Sequence, residues 1–196
     1  MRYDAEHKQK TREKVLKAAA KAIRAEGPHR VGVAGVMAKA GLTHGGFYAH
    51  FDSKDDLVAA AIGQMFEDGR IRMQQETQEP DPATALASYI DFYLSPRHRD
   101  AVTGCPIPAL ATDLPRLARP ARQRFSEGVS VLTAALSEKL LQMGRPNANE
   151  AASSLLAEMV GAVSLARAES DPGRSDAILD ISRRSLKSRF GLPESA

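Results

Sequence analysis

The sequence predicts an all-α protein of about nine helices. Three observations lead there. Apolar residues recur at i, i+3, i+4 and i+7 through most of the chain, which is the spacing of one helix face. Gly and Pro clusters near residues 27–28, 80–82, 95–96, 104–106, 144–146 and 171–173 cut that pattern into helix-sized pieces. No segment alternates apolar and polar residues as a half-buried strand does, and no repeat or low-complexity tract interrupts the chain. At 196 residues and 43% hydrophobic content, there is enough chain to bury a core.

The elements follow in order. Residues 4–26 form a first helix with Val15, Leu16, Ala19, Ala22 and Ile23 as its apolar stripe, ended by Gly27-Pro28. Val33, Val36, Met37 and Ala40 make one face of a short second helix, and Gly41 closes it where a left-handed residue is needed. Thr43 is placed to cap a third helix carrying Phe47, Tyr48 and Phe51. Asp52 or Ser53 caps a long helix over 54–78, with Leu57, Ala61, Met65 and Phe66 on its apolar side, stopped by Glu79-Pro80-Asp81-Pro82. Residues 83–94 turn Leu86, Tyr89, Ile90, Tyr93 and Leu94 inward. A charged loop then runs to Gly104. A short helix opens at Pro106 and ends by Asp113. Helices over about 116–143, 148–169 and 175–190 complete the chain.

Two short helices joined by a glycine-containing turn describe a helix-turn-helix over residues 32–51. In that motif the second helix enters the DNA major groove. Here it contains Gly45 and Gly46, each weakening a helix by about 1 kcal/mol relative to alanine. Three readings of the glycines stand: a frayed first turn, close packing on a neighbouring helix, or close approach to a DNA backbone. Lys54 falls in the first turn of the next helix, where a cation opposes the helix dipole, a placement that fits a nearby anion.

Charge is distributed to match. Residues 1–51 hold ten Lys or Arg against four Asp or Glu, a net of +6, and four of the five histidines. The remaining 145 residues hold 17 against 20, a net of −3. A basic lobe that coincides with a helix-turn-helix is the electrostatic footprint of DNA binding. Among Lys8, Lys10 and Arg12 one contact is expected, to a phosphate or the neighbouring minor groove, with the others solvated.

These residues resemble a known family. Gly27, Val33-x-x-Val36, Ala40-Gly41-Leu42-Thr43 and the run from Gly45 through Phe47-Tyr48-Ala49-His50-Phe51-Asp52-Ser53-Lys54 to Leu57 are similar to the amino-terminal domain of TetR-type (TetR/AcrR) transcriptional regulators. Three positions depart from the family pattern. Val31-Gly32 stands where Ser or Thr commonly caps the first motif helix, Ala34-Gly35 where Arg-Asp commonly follows Val, and Met37 where alanine is usual. The resemblance implies an all-helical homodimer with an amino-terminal three-helix DNA-binding domain and a carboxy-terminal helical bundle that binds an effector. It also implies that the long connecting helix relays effector binding to the recognition helix.

The expected organisation is therefore a DNA-binding domain over 1–53, a connecting helix over 54–78, and an effector-binding and dimerisation domain over 79–196. Expected partners are a palindromic double-stranded DNA operator, a second copy of the chain and a largely apolar small molecule, with no cofactor and no metal. Thr43, Tyr48 and Lys54 are expected on phosphates and His44 and Gly46 on the base-facing surface. His50 is expected on a phosphate or in the helix core. Candidate effector-pocket residues are Met65, Phe66, Tyr89, Phe92, Tyr93, Cys105, Phe125 and Met159. Candidate dimer contacts are Leu155, Met159, Val163, Ile178 and Leu186.

Other classes are weighed on their own residues. No GxxxxGK[ST], HExxH or GxSxG stretch is present, which argues against an enzyme. His98-Arg99-Asp100 has the letters of a kinase catalytic loop, but Cys105 stands where the magnesium-holding Asn belongs. The single cysteine excludes an internal disulfide. No apolar run approaches the roughly 20 residues of a membrane span and no signal-peptide core is seen, so a cytoplasmic protein is expected. Two alternatives remain: an architectural DNA-binding protein without ligand, and a thiol sensor. The second rests on Cys105 beside a helix start, with Arg97 and Arg99 near in sequence.

Overall fold

The computed structural model describes residues 2–100 and 104–194, with side chains from Glu6 onward. Among the described residues the chain is helical and without strands. The α-helices are α1 (Arg2–Glu26), α2 (Val33–Lys39), α3 (Lys54–Glu76), α4 (Pro82–Tyr93), α5 (Pro96–Asp100), α6 (Pro106–Leu110), α7 (Arg119–Gln142), α8 (Ala148–Ala168) and α9 (Pro172–Phe190). Two 3-10 segments, His44–Ala49 and Leu114–Arg116, complete the set.

Punctuation in the sequence becomes visible as caps. Gly27, Gly41, Gly144 and Gly191 all take positive φ, and each ends a helix. Ser53 accepts the Asp56 amide at 3.1 Å and starts α3, while the Asp56 carboxylate accepts the Asp52 amide at 3.2 Å. Asp81 caps α4 by accepting the Thr84 amide at 2.8 Å, and Asp171 caps α9 by accepting the Arg174 amide at 2.7 Å. The expected turn at Asp171-Pro172-Gly173 is thus the first turn of α9. The expected charged loop after Ser95 is in part a helix, α5, because the Ser95 hydroxyl accepts the His98 amide at 3.1 Å and caps it.

Two compact units divide the chain. The first contains residues up to Glu67 together with Ala109–Gly128. Its core joins Val15, Ala19 and Ile23 of α1 to Val36 and Met37 of α2, and to Phe47 and Phe51. Leu57, Ala61, Ile62 and Met65 of α3 complete it, with Leu110 and Ala121. The second contains Asp68–Pro108 and the chain from Val129 onward. Its core carries Leu86, Ile90 and Tyr93 of α4, Leu155, Met159 and Val163 of α8, and Leu179 and Leu186 of α9.

This division differs from boundaries at 53 and 78. The first half of α3 is core of the first unit rather than a connector, since Leu57, Ile62 and Met65 are each at most 1% exposed there. Residues 109–128 complete that unit although they lie far along the sequence. In the same unit the Phe66 ring lies against Gly128, where a Cβ would stand 2.2 Å from the ring, and it meets Phe125 edge-on at 5.4 Å. By length and composition α8 is apolar enough to span a membrane. Its Leu155, Met159 and Val163 side is instead buried in the second unit, where α8 packs on α9.

Candidate nucleic-acid interface and a buried aromatic cluster

The helix-turn-helix is built from the turn outward. Ala40 is the last residue of helical conformation after α2, and Gly41 follows at φ +74°. The Leu42 amide donates to the Met37 carbonyl at 2.9 Å and the Gly41 amide to the Ala38 carbonyl at 3.0 Å. That pair of bonds is a Schellman closure, which satisfies the end of a two-turn helix and fixes the exit direction. At its other end α2 starts at Gly32 with no side-chain cap, as the departure at Val31-Gly32 implies.

The second helix of the motif is not an α-helix, and this corrects the expected reading. His44–Ala49 is a 3-10 segment with i to i+3 bonds, Gly46 amide to Thr43 carbonyl at 3.2 Å and His50 amide to Phe47 carbonyl at 2.9 Å. Thr43 precedes it but makes no side-chain cap. Two successive glycines lack the propensity to hold a first α-turn, and six residues are too few to offset that. Neither glycine is needed for packing. A Cβ at Gly45 would meet nothing within 4 Å, and one at Gly46 would make ordinary contacts with Met37 and Thr43. Neither has positive φ.

Phe47 and Phe51 are buried and stack on each other at 5.6 Å, anchoring the segment from below. Tyr48, 71% exposed, stands on the Phe47 ring edge-on at 5.2 Å. Thr43 and His44 are exposed and Gly46 half-buried. Lys54 is exposed and donates to the His29 carbonyl at 3.2 Å, tying the start of α3 to the loop after α1. His50 is half-buried, and burial followed by the charges of Lys8 and Arg12 holds its pKa below the ordinary histidine value. Of the three basic residues expected to add a contact, Lys10 pairs with Glu6 at 2.8 Å and Arg12 lies over the Phe51 ring at 4.9 Å.

The candidate pocket residues do not gather in one place. Met65, Phe66 and Phe125 belong to the first unit, Met65 deep in the core shared with the helix-turn-helix. Tyr89, Phe92, Tyr93, Cys105 and Met159 belong to the second. Tyr89 lies beside Phe92 and Tyr93, and three of these five, Phe92, Tyr93 and Cys105, contact a residue that sequence reasoning passed over, His98. Its ring sits 4.5 Å from that of Tyr93 and 5.0 Å from that of Phe92. Its Nδ1 bonds the Tyr93 carbonyl at 2.8 Å, and its Nε2 accepts the Cys105 amide at 3.1 Å. A carbonyl can only accept and an amide can only donate, so both bonds form together only in the neutral Nδ1–H tautomer. Burial pushes its pKa down to about 4, and Arg167 and Arg72 act in the same direction.

Tyr89 and Tyr93 are buried beside the Cys105 thiol, and burial raises both phenols above their ordinary values. α5 is pinned from outside the cluster. Arg99 donates to Ser175 at 2.7 Å and to Asp176 at 2.6 Å, and the Arg167 guanidinium donates to the Arg99 carbonyl at 2.9 Å. Neither support for a reactive Cys105 persists. α6 is five residues long and offers little dipole, Arg97 is exposed, and Arg99 is held by Asp100 and Asp176.

Of the candidate dimer contacts, Leu155, Met159, Val163 and Leu186 are 0% exposed within their own chain and have no surface to offer a partner. Only Ile178 is part-exposed. The period was read correctly and the face was not: large apolar residues at those positions pack α8 onto α9. The large apolar side chains that α8 and α9 leave outside are Leu165, 63% exposed, and Ile181, 59% exposed.

Comparison with known proteins settles the family. Residues 15–61 match the family model described as bacterial regulatory proteins, tetR family. Residues 82–180, just over half of the chain, match the model for the carboxy-terminal domain of LmrA/YxaF-like transcriptional regulators. The chain belongs to the TetR family. It is therefore a DNA-binding transcriptional regulator rather than an enzyme. The HTH-type transcriptional regulator TtgR of Pseudomonas putida is 34% identical over 79 residues, spanning 39% of this chain and 38% of TtgR. The TetR fold is shared with the reduced form of E. coli NemR, at a TM-score of 0.80 and 22% identity over 91% of this chain and 96% of that one. It is shared too with a TetR regulator from Chloroflexus aurantiacus J-10-FL, at 0.79 and 25% identity over 95% and 96%.

Proposed function

We propose that this TetR-family protein is a homodimeric repressor that binds a near-palindromic operator and is released from it by a small-molecule effector. The observation that carries the DNA surface is the turn over 43–49, where two glycines serve neither packing nor backbone conformation. What such residues do offer is close approach of main chain to a DNA backbone. Around them Thr43, Tyr48, His50 and Lys54 are placed for phosphates, and His44 and Gly46 for base edges. Phosphate contacts fix register and base contacts carry sequence, so the two sets fail differently when removed.

The second unit supports the effector half. Phe92, Tyr93 and Cys105 at His98, with Tyr89 beside Phe92 and Tyr93, form an apolar, aromatic environment with a few polar atoms, the character of a small-molecule site. Homodimer formation is assigned to α8 and α9, which leave Leu165 and Ile181 exposed and Gly161 and Ile178 half-buried. An isologous contact of that kind matches the two-fold symmetry of a palindrome.

Selection of bound duplexes from a random pool tests the reading. The expected product is a palindrome whose half-sites lie about 34–36 Å apart, one helical turn. Recovery of sequences without dyad symmetry would overturn the dimeric operator. A ligand panel that shifts the melting temperature yet leaves operator binding unchanged would overturn release by effector.

A further inference from the structure

His50 ends the 3-10 segment with its two ring nitrogens in different surroundings. Nδ1 is sealed from solvent and has no hydrogen-bond partner, whereas Nε2 is not sealed. The charged groups acting on the ring are Lys8 and Arg12, both from α1, and the ring of Phe51 lies 6.5 Å away. A second proton on this imidazole would have to sit on Nδ1. There it would point an N–H at no acceptor, in a place already under the field of two cations. An unpaired lone pair at the same spot is a far smaller loss than a buried N–H.

We infer that His50 meets the DNA backbone as a neutral imidazole, donating its Nε2–H to a phosphate oxygen, so that DNA binding takes up no proton at this residue. The contact rests on reading the 43–54 surface as DNA-facing. Lys8 and Arg12 then supply charge and His50 supplies direction, a donor on a half-buried ring beside Phe51. It also separates the half-buried His50 from the buried His98. His98 carries its proton on Nδ1 because a carbonyl waits there, and His50 on Nε2 because nothing does.

Nitrogen chemical shifts of the free protein test the tautomer without DNA. The expected pattern is a pyrrole-like Nε2 and a pyridine-like Nδ1 for His50 at pH ~8, persisting to lower pH than in a free histidine. A proton on Nδ1, or an averaged, charged ring at neutral pH, overturns the inference. Affinity for a random-sequence DNA duplex tests the contact. Gln places an amide nitrogen near the Nε2 position and Asn near the Nδ1 position, so His50→Gln should bind within about twofold of wild type and His50→Asn about tenfold weaker. The dependence on salt should be the same in all three, because a neutral donor releases no counterion. Equal affinities for the Gln and Asn variants overturn the Nε2 contact. So does a wild-type affinity that climbs as pH falls through about 6.5 while His50→Gln stays flat. Loss of Lys54→Ala sensitivity on the same duplex would instead move the DNA-facing surface elsewhere. It would overturn the contact and leave the measured tautomer as a separate fact.

Discussion

The two compact units dispose similar residue types in opposite ways. The first puts His44, Tyr48 and Lys54 on the outside, on and beside a short glycine-bearing turn, and anchors that turn with two phenylalanines below. The second turns its tyrosines, the chain's fifth histidine and its cysteine inward. An outward site is assembled from neighbours in sequence, because a short turn and its flanks display only residues close to it along the chain. An inward site is assembled from wherever elements meet, so Tyr93 of α4, His98 of α5 and Cys105, just before α6, come together. The contrast extends to energetics: the outer residues cost the fold little and are free to serve a ligand, while the inner ones are also core.

The largest test of that contrast is on α8 and α9. If burial within the chain decides a residue's role, Met159→Asp should leave no folded protein, since an unpaired charge in a core costs several kcal/mol, of order 3–5. Ile181→Asp changes a side chain that is 59% exposed, so the chain should fold as before. Its proposed effect is on assembly: sedimentation should show a folded monomer, with operator affinity reduced by orders of magnitude. A dimeric Ile181→Asp protein would move the interface off this face.

The next test is the pH dependence of the inward cluster. His98 has a folded pKa of about 4 against 6.5 when free. As pH falls, the unfolded chain takes its proton first, so stability is full above the free value, declines between about 6.5 and 4, and levels below. At about 1.4 kcal/mol per pH unit the decline amounts to roughly 3 kcal/mol for this one residue. His98→Asn, which does not titrate, should lower stability at pH 8 but show a flatter curve across that window in denaturant titrations. A variant with the same slope as wild type would place the acid sensitivity in other groups.

What the sequence made legible follows the same division. Apolar periodicity located almost every helix, and Pro and Gly located their ends, because those signals are local. The residues around the turn were legible as a group for the same reason. Three things were not. The 3-10 character of His44–Ala49 depends on whether two glycines are offset by packing, which a propensity alone does not decide. The face of α8 that meets α9, rather than a partner, depends on a crossing that periodicity does not encode. His98 was visible only as a letter in a failed kinase pattern. Its role comes from a carbonyl five residues before it and an amide seven residues after it, brought together by a helix of five residues. A histidine just past a Ser-Pro helix start, following two aromatic residues, was the available signal.

The smallest expected effect on the fold, and the sharpest on function, belongs to Gly45. Alanine there meets open space and a negative φ, so nothing in the protein resists the added methyl group. On propensity alone Gly45→Ala should stabilise the segment by up to about 1 kcal/mol. Thermal unfolding should therefore be unchanged or slightly raised. If the backbone at 45 approaches DNA closely, the same methyl group has to be accommodated between main chain and phosphate, and affinity for every sequence should fall together, by about tenfold for about 1.4 kcal/mol of lost contact. A change in base preference at one position would instead put residue 45 over a base edge. Gly45→Ala protein that is at least as stable and binds DNA as well as wild type would leave the glycine without a role at the interface, and would return the outward surface to Tyr48 and Lys54 alone.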